Sequence, residues 1–308
     1  MLSMTRISNL QIFKRTLTVL VSSAIIMGLT GASASPALAL ISAAPGKAVS
    51  MRQVNNAVQQ NVETNNTSSN TTSSNTFGTA YYFNWSGYAA NGSTPFNEVK
   101  TSYVQPVVSC PVTGADTLFW VGFDGFSNGT VEQAGTGAMC GNAGSKPTYF
   151  AWWEMYPTNS VQFMPITINP GDSIDASVIY SSASNLYTMS VRDLTRGVAY
   201  SANSACATGL YCARQTAEWI VERPTSGGQY TPLANWVAMK LTNDKASDTS
   251  VIVTKKHISE PYLVKASTFA LTGIDMVNYP DTGKVLASVG PMTKTVPNHF
   301  VDTWQAAQ

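Results

Sequence analysis

The sequence predicts an all-β protein, an antiparallel β-sandwich of two sheets, and three observations carry that expectation. Short runs rich in β-branched and aromatic residues recur: SIDASVIYSS (173–182), NLYTMSVRDL (185–194), AEWIVE (217–222), NWVAMKLT (235–242) and TSVIVTKKH (249–257). Turn-forming clusters punctuate the chain at NPGD (169–172), SGG (226–228), TND (242–244) and PDTG (280–283). No stretch of helix length holds a 3.6-residue apolar period. Many short strands separated by turns bury one face of each sheet and leave the other able to carry a groove.

Taken in order, the chain opens with a secretion signal over residues 1–39. Arg6, Lys14 and Arg15 form a basic region ahead of the apolar run TLTVLVSSAIIMGLTG (16–31), and small-residue sites ASA (32–34) and ALA (37–39) follow. Cleavage is expected after Ala39. The apolar run is short and broken at Gly28 and Gly31, which disfavours a membrane span. The exported chain is therefore expected to be extracellular and not membrane-embedded. Residues 40–78 read as a pro-segment or disordered linker, because from about Asn55 to Thr76 the chain is nearly all Asn, Ser, Thr, Gln and Val. Such a stretch buries too little apolar surface to offset its ordering entropy. Residues 79–308 then form one β-sandwich domain.

Composition narrows the partners. The full chain carries 18 basic and 17 acidic residues. The signal takes three of the basic residues and none of the acidic ones, leaving 15 against 17, a net of −2. No basic patch suited to phosphates emerges, so nucleic acid is not an expected partner. Charged residues make up 11% of the chain, against roughly 25% in ordinary soluble domains. A surface of Ser, Thr, Asn and Gln changes charge little in acid, which suits an acidic exterior.

Four cysteines in an exported chain imply disulfides, with three possible connectivities. Cys206 and Cys212 close a short loop and are the first pair, leaving Cys110 with Cys140. The only histidines are His257 and His299, and no CxxC or HxxxH spacing supports a zinc site. Neither histidine sits beside a nucleophile motif, so serine and cysteine triads lack their imidazole. GxSxG, Walker and dinucleotide-binding glycine loops are also missing.

Carboxylates carry what chemistry remains. Alternation on AEWIVE places Ala217, Trp219 and Val221 on one face and Glu218, Ile220 and Glu222 on the other. Glu218 and Glu222 are about 13 Å apart along the strand, beyond the roughly 5 to 9.5 Å of a glycosidase pair. Glu218 must therefore work with a group from elsewhere. YFAWWEMYP (149–157) places Phe150, Trp152, Glu154 and Tyr156 on one face, and FWVGFDGFSNGTVEQAGTG (119–137) holds Asp124 between glycines and Gln133 near a strand end.

Taken together, NWSG (84–87), FWVGFDG (119–125), VEQAG (131–135), WWEMYP (152–157) running into ITINPGDSI (166–174), AEWIVE and FVDTW (300–304) resemble the glutamic peptidases. This is the eqolisin or G1 family of secreted acid endopeptidases, and the signal and tail suggest a bacterial member. The resemblance covers residue 80 to the C-terminus. It implies a concanavalin A-like sandwich, the lectin and glucanase architecture, with a substrate groove on a concave face. It also implies a catalytic dyad on Gln133 and Glu218, and groove-lining roles for Trp85, Trp120, Asp124, Glu154 and Tyr156. No cofactor or metal is implied; polypeptides are the expected substrates and a monomer the expected state. Met155 and Arg223 depart from the family pattern and put subsite preference in question. A glycoside hydrolase using Glu218 with Glu154, and a non-catalytic carbohydrate-binding sandwich, remain the alternatives.

Overall fold

In the computed structural model the described residues are 41–43, 45–46, 78–248, 252–255, 258–261, 264–265, 269–292 and 299–308. The proposed signal and most of the Asn/Ser/Thr-rich stretch lie outside them, as does His257. Among the described residues every regular element is a strand, and no helix is long and apolar enough to cross a membrane. In chain order the strands are β1 (Ile41–Ser42), β2 (Gly78–Tyr82), β3 (Trp85–Asn91), β4 (Phe96–Val104), β5 (Asp116–Phe123), β6 (Val131–Met139) and β7 (Thr148–Tyr156). There follow β8 (Gln162–Met164), β9 (Ser173–Ser181), β10 (Leu186–Asp193), β11 (Val198–Ser204), β12 (Thr216–Glu222), β13 (Thr225–Ser226) and β14 (Gln229–Tyr230). The last are β15 (Ala238–Asp248), β16 (Ile252–Lys255), β17 (Ile258–Pro261), β18 (Val264–Lys265), β19 (Ala270–Val277), β20 (Val285–Val289) and β21 (His299–Trp304).

One ladder dominates, in the order β11-β10-β9-β4-β15-β21-β20-β19-β3-β12-β5-β6-β7-β8. Its pairings are antiparallel, and β2 runs parallel to β19 at its side. The ladder doubles back on itself, so β4, β9 and β10 face β5, β6 and β12 without pairing to them. Between these layers lies the main core. Phe119, Val121, Phe123, Ala217, Trp219 and Val221 enter it from one side, and Val99, Tyr103, Ile174, Val178, Met189 and Val191 from the other. Trp219 ties the layers together, its indole N–H donating to the Lys100 carbonyl at 2.8 Å.

Two expectations about local structure change. NWVAMKLT becomes regular strand only from Ala238, because Val237 takes a positive φ of 62°. The TND cluster, expected as a turn, lies inside β15. There the pairing to β4 slips between Thr242 and Lys245, and Asn243 takes a φ of 56°. Asn tolerates the left-handed region better than most residues, so a turn signal is used here to make a bulge. Disulfides join Cys110 to Cys140 and Cys206 to Cys212.

Candidate active site

The outward face of the β3-β12-β5-β6-β7 layer carries a second apolar cluster, separate from the main core. It contains Trp85, Ala89, Leu118, Trp120, Val131, Phe150, Trp152 and Ile220. Strand alternation produces it. Ile220 belongs to this cluster while Trp219 and Val221 belong to the core, so Glu218 and Glu222 emerge on the cluster side.

Register then aligns one row of residues across four strands. Glu218 on β12 pairs with Gly122 on β5, Gly122 with Gln133 on β6, and Gln133 with Glu154 on β7. Glu218 and Gln133 are thus two strand spacings apart, about 9.6 Å between Cα atoms. The strand between them offers no side chain at that level. A Cβ on Gly122 would lie 3.0 Å from the Gln133 Cβ and 2.7 Å from the Glu132 carbonyl oxygen. Glycine therefore keeps the space between the two side chains open. Glu154 is one strand further along, about 14 Å from Glu218 by the same spacing. The two carboxylates are not on neighbouring strands, as the glycosidase alternative required.

Glu218, Gln133 and Glu154 are fully buried. The Gln133 side-chain amide donates to Glu154 Oε2 at 3.3 Å and to the Ala43 carbonyl at 2.8 Å. Its Oε1 has no hydrogen-bond partner among the described residues, and neither has either Glu218 oxygen. Burial pushes the Glu218 carboxyl well above its ordinary range. The Thr216 hydroxyl, near it but outside good hydrogen-bond geometry, opposes the shift, whereas the charges of Asp124 and Glu132 add to it. Leaving buried acceptors unpaired costs roughly 1–3 kcal/mol each, so this arrangement is not there for stability.

The other sequence candidates fall around this row. Trp85 and Trp120 are buried edge to face, 5.0 Å between centroids at 75°, and the Trp120 indole donates to Glu222 Oε2 at 2.9 Å. Tyr156 packs half-buried at the edge of the same cluster. Asp124 caps the entry to β12, and its charge also acts on Glu218. Its oxygens accept from Arg214 N at 2.6 Å, Gln215 N at 2.9 Å and the Asn128 side-chain amide at 2.9 Å. The physical reason is its φ of 67°, which turns the chain where β5 ends and aims the carboxylate at the entry to β12. Met155 faces the main core and not the groove. Arg223 is buried; its Nε donates to the Phe83 carbonyl at 2.7 Å and its guanidinium lies over the Tyr230 ring, 4.8 Å from the centroid. Burial lowers its pKa to about 10. Neither departure from the family pattern therefore touches the Gln133–Glu218 row.

Sequence reasoning missed Tyr82, Glu132 and the residues 41–46. Tyr82 stacks on Trp85, 6.1 Å between centroids, and its pKa is raised, first by burial and then by the Glu218 charge. The adjacent aromatic pair Tyr81–Tyr82 ahead of NWSG was the available signal. Glu132 lies on the core side of β6, and burial together with Asp124 pushes its carboxyl far up.

The row of Glu218, Gln133 and Glu154 on one face of an antiparallel sheet is the candidate site of this chain. The Peptidase A4 family matches residues 83–290, and the chain belongs to that family, the eqolisin glutamic peptidases. Aspergillopepsin-2 of Aspergillus niger is 30% identical over 188 residues, 54% of this chain and 65% of the fungal enzyme. Scytalidopepsin B of Scytalidium lignicola is 33% identical over 139 residues, 45% of this chain and 51% of that enzyme. The chain thus spans less than two thirds of the length of these curated relatives. Among solved structures, scytalido-glutamic peptidase with a peptide-based transition state analog has a TM-score of 0.58 at 22% identity, covering 72% of this chain and 98% of that one. The eqolisin SCP-B in complex with the tripeptide Ala-Ile-His has a TM-score of 0.54 at 21% identity, with the same coverages. At that identity the likeness concerns the fold alone.

Proposed function

We propose that the chain is a secreted acid endopeptidase, acting as a monomer on polypeptides through a Gln133–Glu218 dyad on a concanavalin A-like sandwich. The observation that carries this reading is the pair itself: two side chains on one face, separated by a glycine, with three unpaired acceptor atoms between them. A water held between Gln133 Oε1 and one Glu218 oxygen would donate to two of those acceptors. Ionised Glu218 takes a proton from that water as it adds to the peptide carbonyl carbon. The Gln133 amide N–H groups stabilise the oxyanion that forms. Glu218 then returns the proton to the leaving nitrogen, the C–N bond breaks, and a carboxyl and an amine result.

Trp85, Trp120, Glu154 and Tyr156 would line the path of the substrate chain. The family, and relatives described with peptide-based ligands, support this reading over carbohydrate chemistry. A free glutamate titrates near ~4.3, below an imidazole; burial holds Glu218 above that value, so the ionised base is the minor form in acid and its share grows as pH rises toward the raised value. The test is cleavage of a denatured protein at acid pH by the Glu218→Gln and Gln133→Ala variants. Both should still fold, with one cooperative thermal transition above the assay temperature. Gln133→Ala should lose about 10²–10³-fold in rate, the usual cost of an oxyanion donor, and Glu218→Gln at least as much. Wild-type turnover by either variant rules the dyad out.

A further inference from the structure

Behind the Glu218–Gln133 row lies a second pair of carboxyls that the dyad does not use. Glu132 precedes Gln133 on β6, so its side chain points to the opposite face, into the main core, where it is fully buried. Its register partner on β5 is Phe123, and the next residue, Asp124, brings its carboxylate within hydrogen-bonding reach of the Glu132 carboxyl. The two are provided for unequally. Asp124 accepts three N–H groups, from Arg214, Gln215 and the Asn128 side chain. Neither Glu132 oxygen has a hydrogen-bond donor among the described residues. Arg214 is the cation that acts on Glu132, but its guanidinium donates to the Phe96 carbonyl at 2.8 Å and Asn97 Oδ1 at 2.9 Å, and stacks on Tyr180. Tyr187 of β10 faces the pair from the other layer, with Tyr180 of β9 beside it. On β7 the register neighbour is the apolar Met155, and on β12 the titratable neighbour is Glu218.

We propose that Glu132 is a positioning residue for the dyad: it keeps one proton, donates it to Asp124, and by releasing it as pH rises confines the peptidase to acid. The proposal rests on the dyad reading. Two carboxyls buried in contact hold one proton between them. Asp124 takes the charge, because three N–H groups favour its ionised form. Glu132 takes the proton, because its protonated form supplies the donor that the contact lacks. Burial and the Asp124 charge act on Glu132 in the same sense. This proton holds the start of β12 in place, since Asp124 binds Arg214 and Gln215, the two residues just ahead of that strand. Once it leaves to water, two negative charges meet in the core. Asp124 is driven from the two amides, the strand carrying Glu218 loosens, and the added charge favours the protonated form of Glu218. Glu218 alone would give a rate that rises with pH and levels off as the base ionises. The fall at higher pH belongs to Glu132.

The experiment records kcat/KM on a denatured protein from about pH 3 to 8 for the wild type and Glu132→Gln, with far-UV circular dichroism confirming the fold at each pH. The variant is neutral throughout and its amide still donates to Asp124. Its falling limb should lie about one pH unit or more above that of the wild type. Glu132→Leu, which also cannot lose a proton, takes its place should the amide variant not fold. A second readout follows the proton itself. In Glu218→Gln protein made with isotope-labelled glutamate, the infrared carbonyl stretch of one protonated carboxyl should vanish over the pH interval of the wild-type falling limb. A limb at the wild-type position in the folded variant overturns the proposal. So does a folded wild type that keeps full activity to about pH 8, or the lack of a labelled band titrating with the limb. Turnover by Glu218→Gln defeats the dyad, whereas an inactive Glu218→Gln beside an unmoved limb in Glu132→Gln defeats the role of Glu132 alone.

Discussion

At the scale of single residues, Gly122 decides whether Glu218 and Gln133 can share a water. Any side chain there would stand between them, and the nearest obstacles are the Gln133 Cβ and backbone of β6 rather than flexible side-chain ends. Gly122→Ala should therefore push Gln133 aside. We expect kcat/KM on a denatured protein to fall about tenfold or more, because angstrom-scale misplacement in a catalytic site costs on the order of 10²-fold. Far-UV circular dichroism should stay unchanged. Wild-type kcat/KM in the Gly122→Ala variant would show that the gap is not needed. The sequence made Glu218 and Gln133 legible as candidates, since alternation gives the face and the ordered motifs single out the pair. It did not make Gly122 legible, because a strand glycine looks like a weak point until the register shows what lies on either side. The hold of Asp124 on the β12 entry was illegible for a related reason: only its positive φ shows that the Arg214 and Gln215 backbone N–H groups donate to its oxygens.

At the scale of elements, β12 is held from both ends and from behind. Asp124 caps its entry, Trp219 and Val221 anchor it in the core, and Arg223 fixes its exit against the Phe83 carbonyl. Replacing Asp124 with Ala leaves the Arg214 and Gln215 amides without their acceptor. This should lower stability by about 2 kcal/mol, read as a shift in the chemical unfolding midpoint at constant slope. An unchanged midpoint would remove the clamp from the account. The two disulfides should differ as their loops do. Closing a separation of 30 residues constrains the unfolded chain by about 3.7 kcal/mol, and one of 6 by about 2.2 kcal/mol, on a chain-entropy estimate. Removing Cys110–Cys140 should accordingly depress the melting temperature more than removing Cys206–Cys212, and the reverse order would contradict that estimate. Several strands were readable from composition and turns. The β15 bulge was not, because Thr-Asn-Asp satisfies the local rules for a turn, and only its neighbours β4 and β21 keep it in the ladder.

At the scale of the whole molecule, the buried carboxyls set the pH at which the fold is most secure. Burial raises Asp116 to about 7 and Asp302 to about 8, and pushes Asp244, Glu132 and Glu218 upward as well. Each group's folded-state pKa exceeds its unfolded value. Its contribution is therefore fully present below the unfolded pKa, near about 4. That contribution is lost as pH rises through the folded value. Thermal unfolding should occur at its highest temperature in acid and fall between about pH 4 and 8, the opposite of a protein whose carboxylates are held ionised by cationic partners. A melting temperature that rises over this interval would contradict the pKa directions. The sparse charge of the chain hinted at an acidic setting, but the burial of these particular carboxyls became visible only once the layers were assembled.

The dyad is most directly tested by a double-mutant cycle on kcat/KM at acid pH, comparing Gln133→Ala, Glu218→Gln and the two together. Groups that act on one water through one step are strongly non-additive. The combined variant should be no slower than Glu218→Gln alone. Losses that simply multiply would mean that Gln133 and Glu218 act separately, and the account of this site would be wrong.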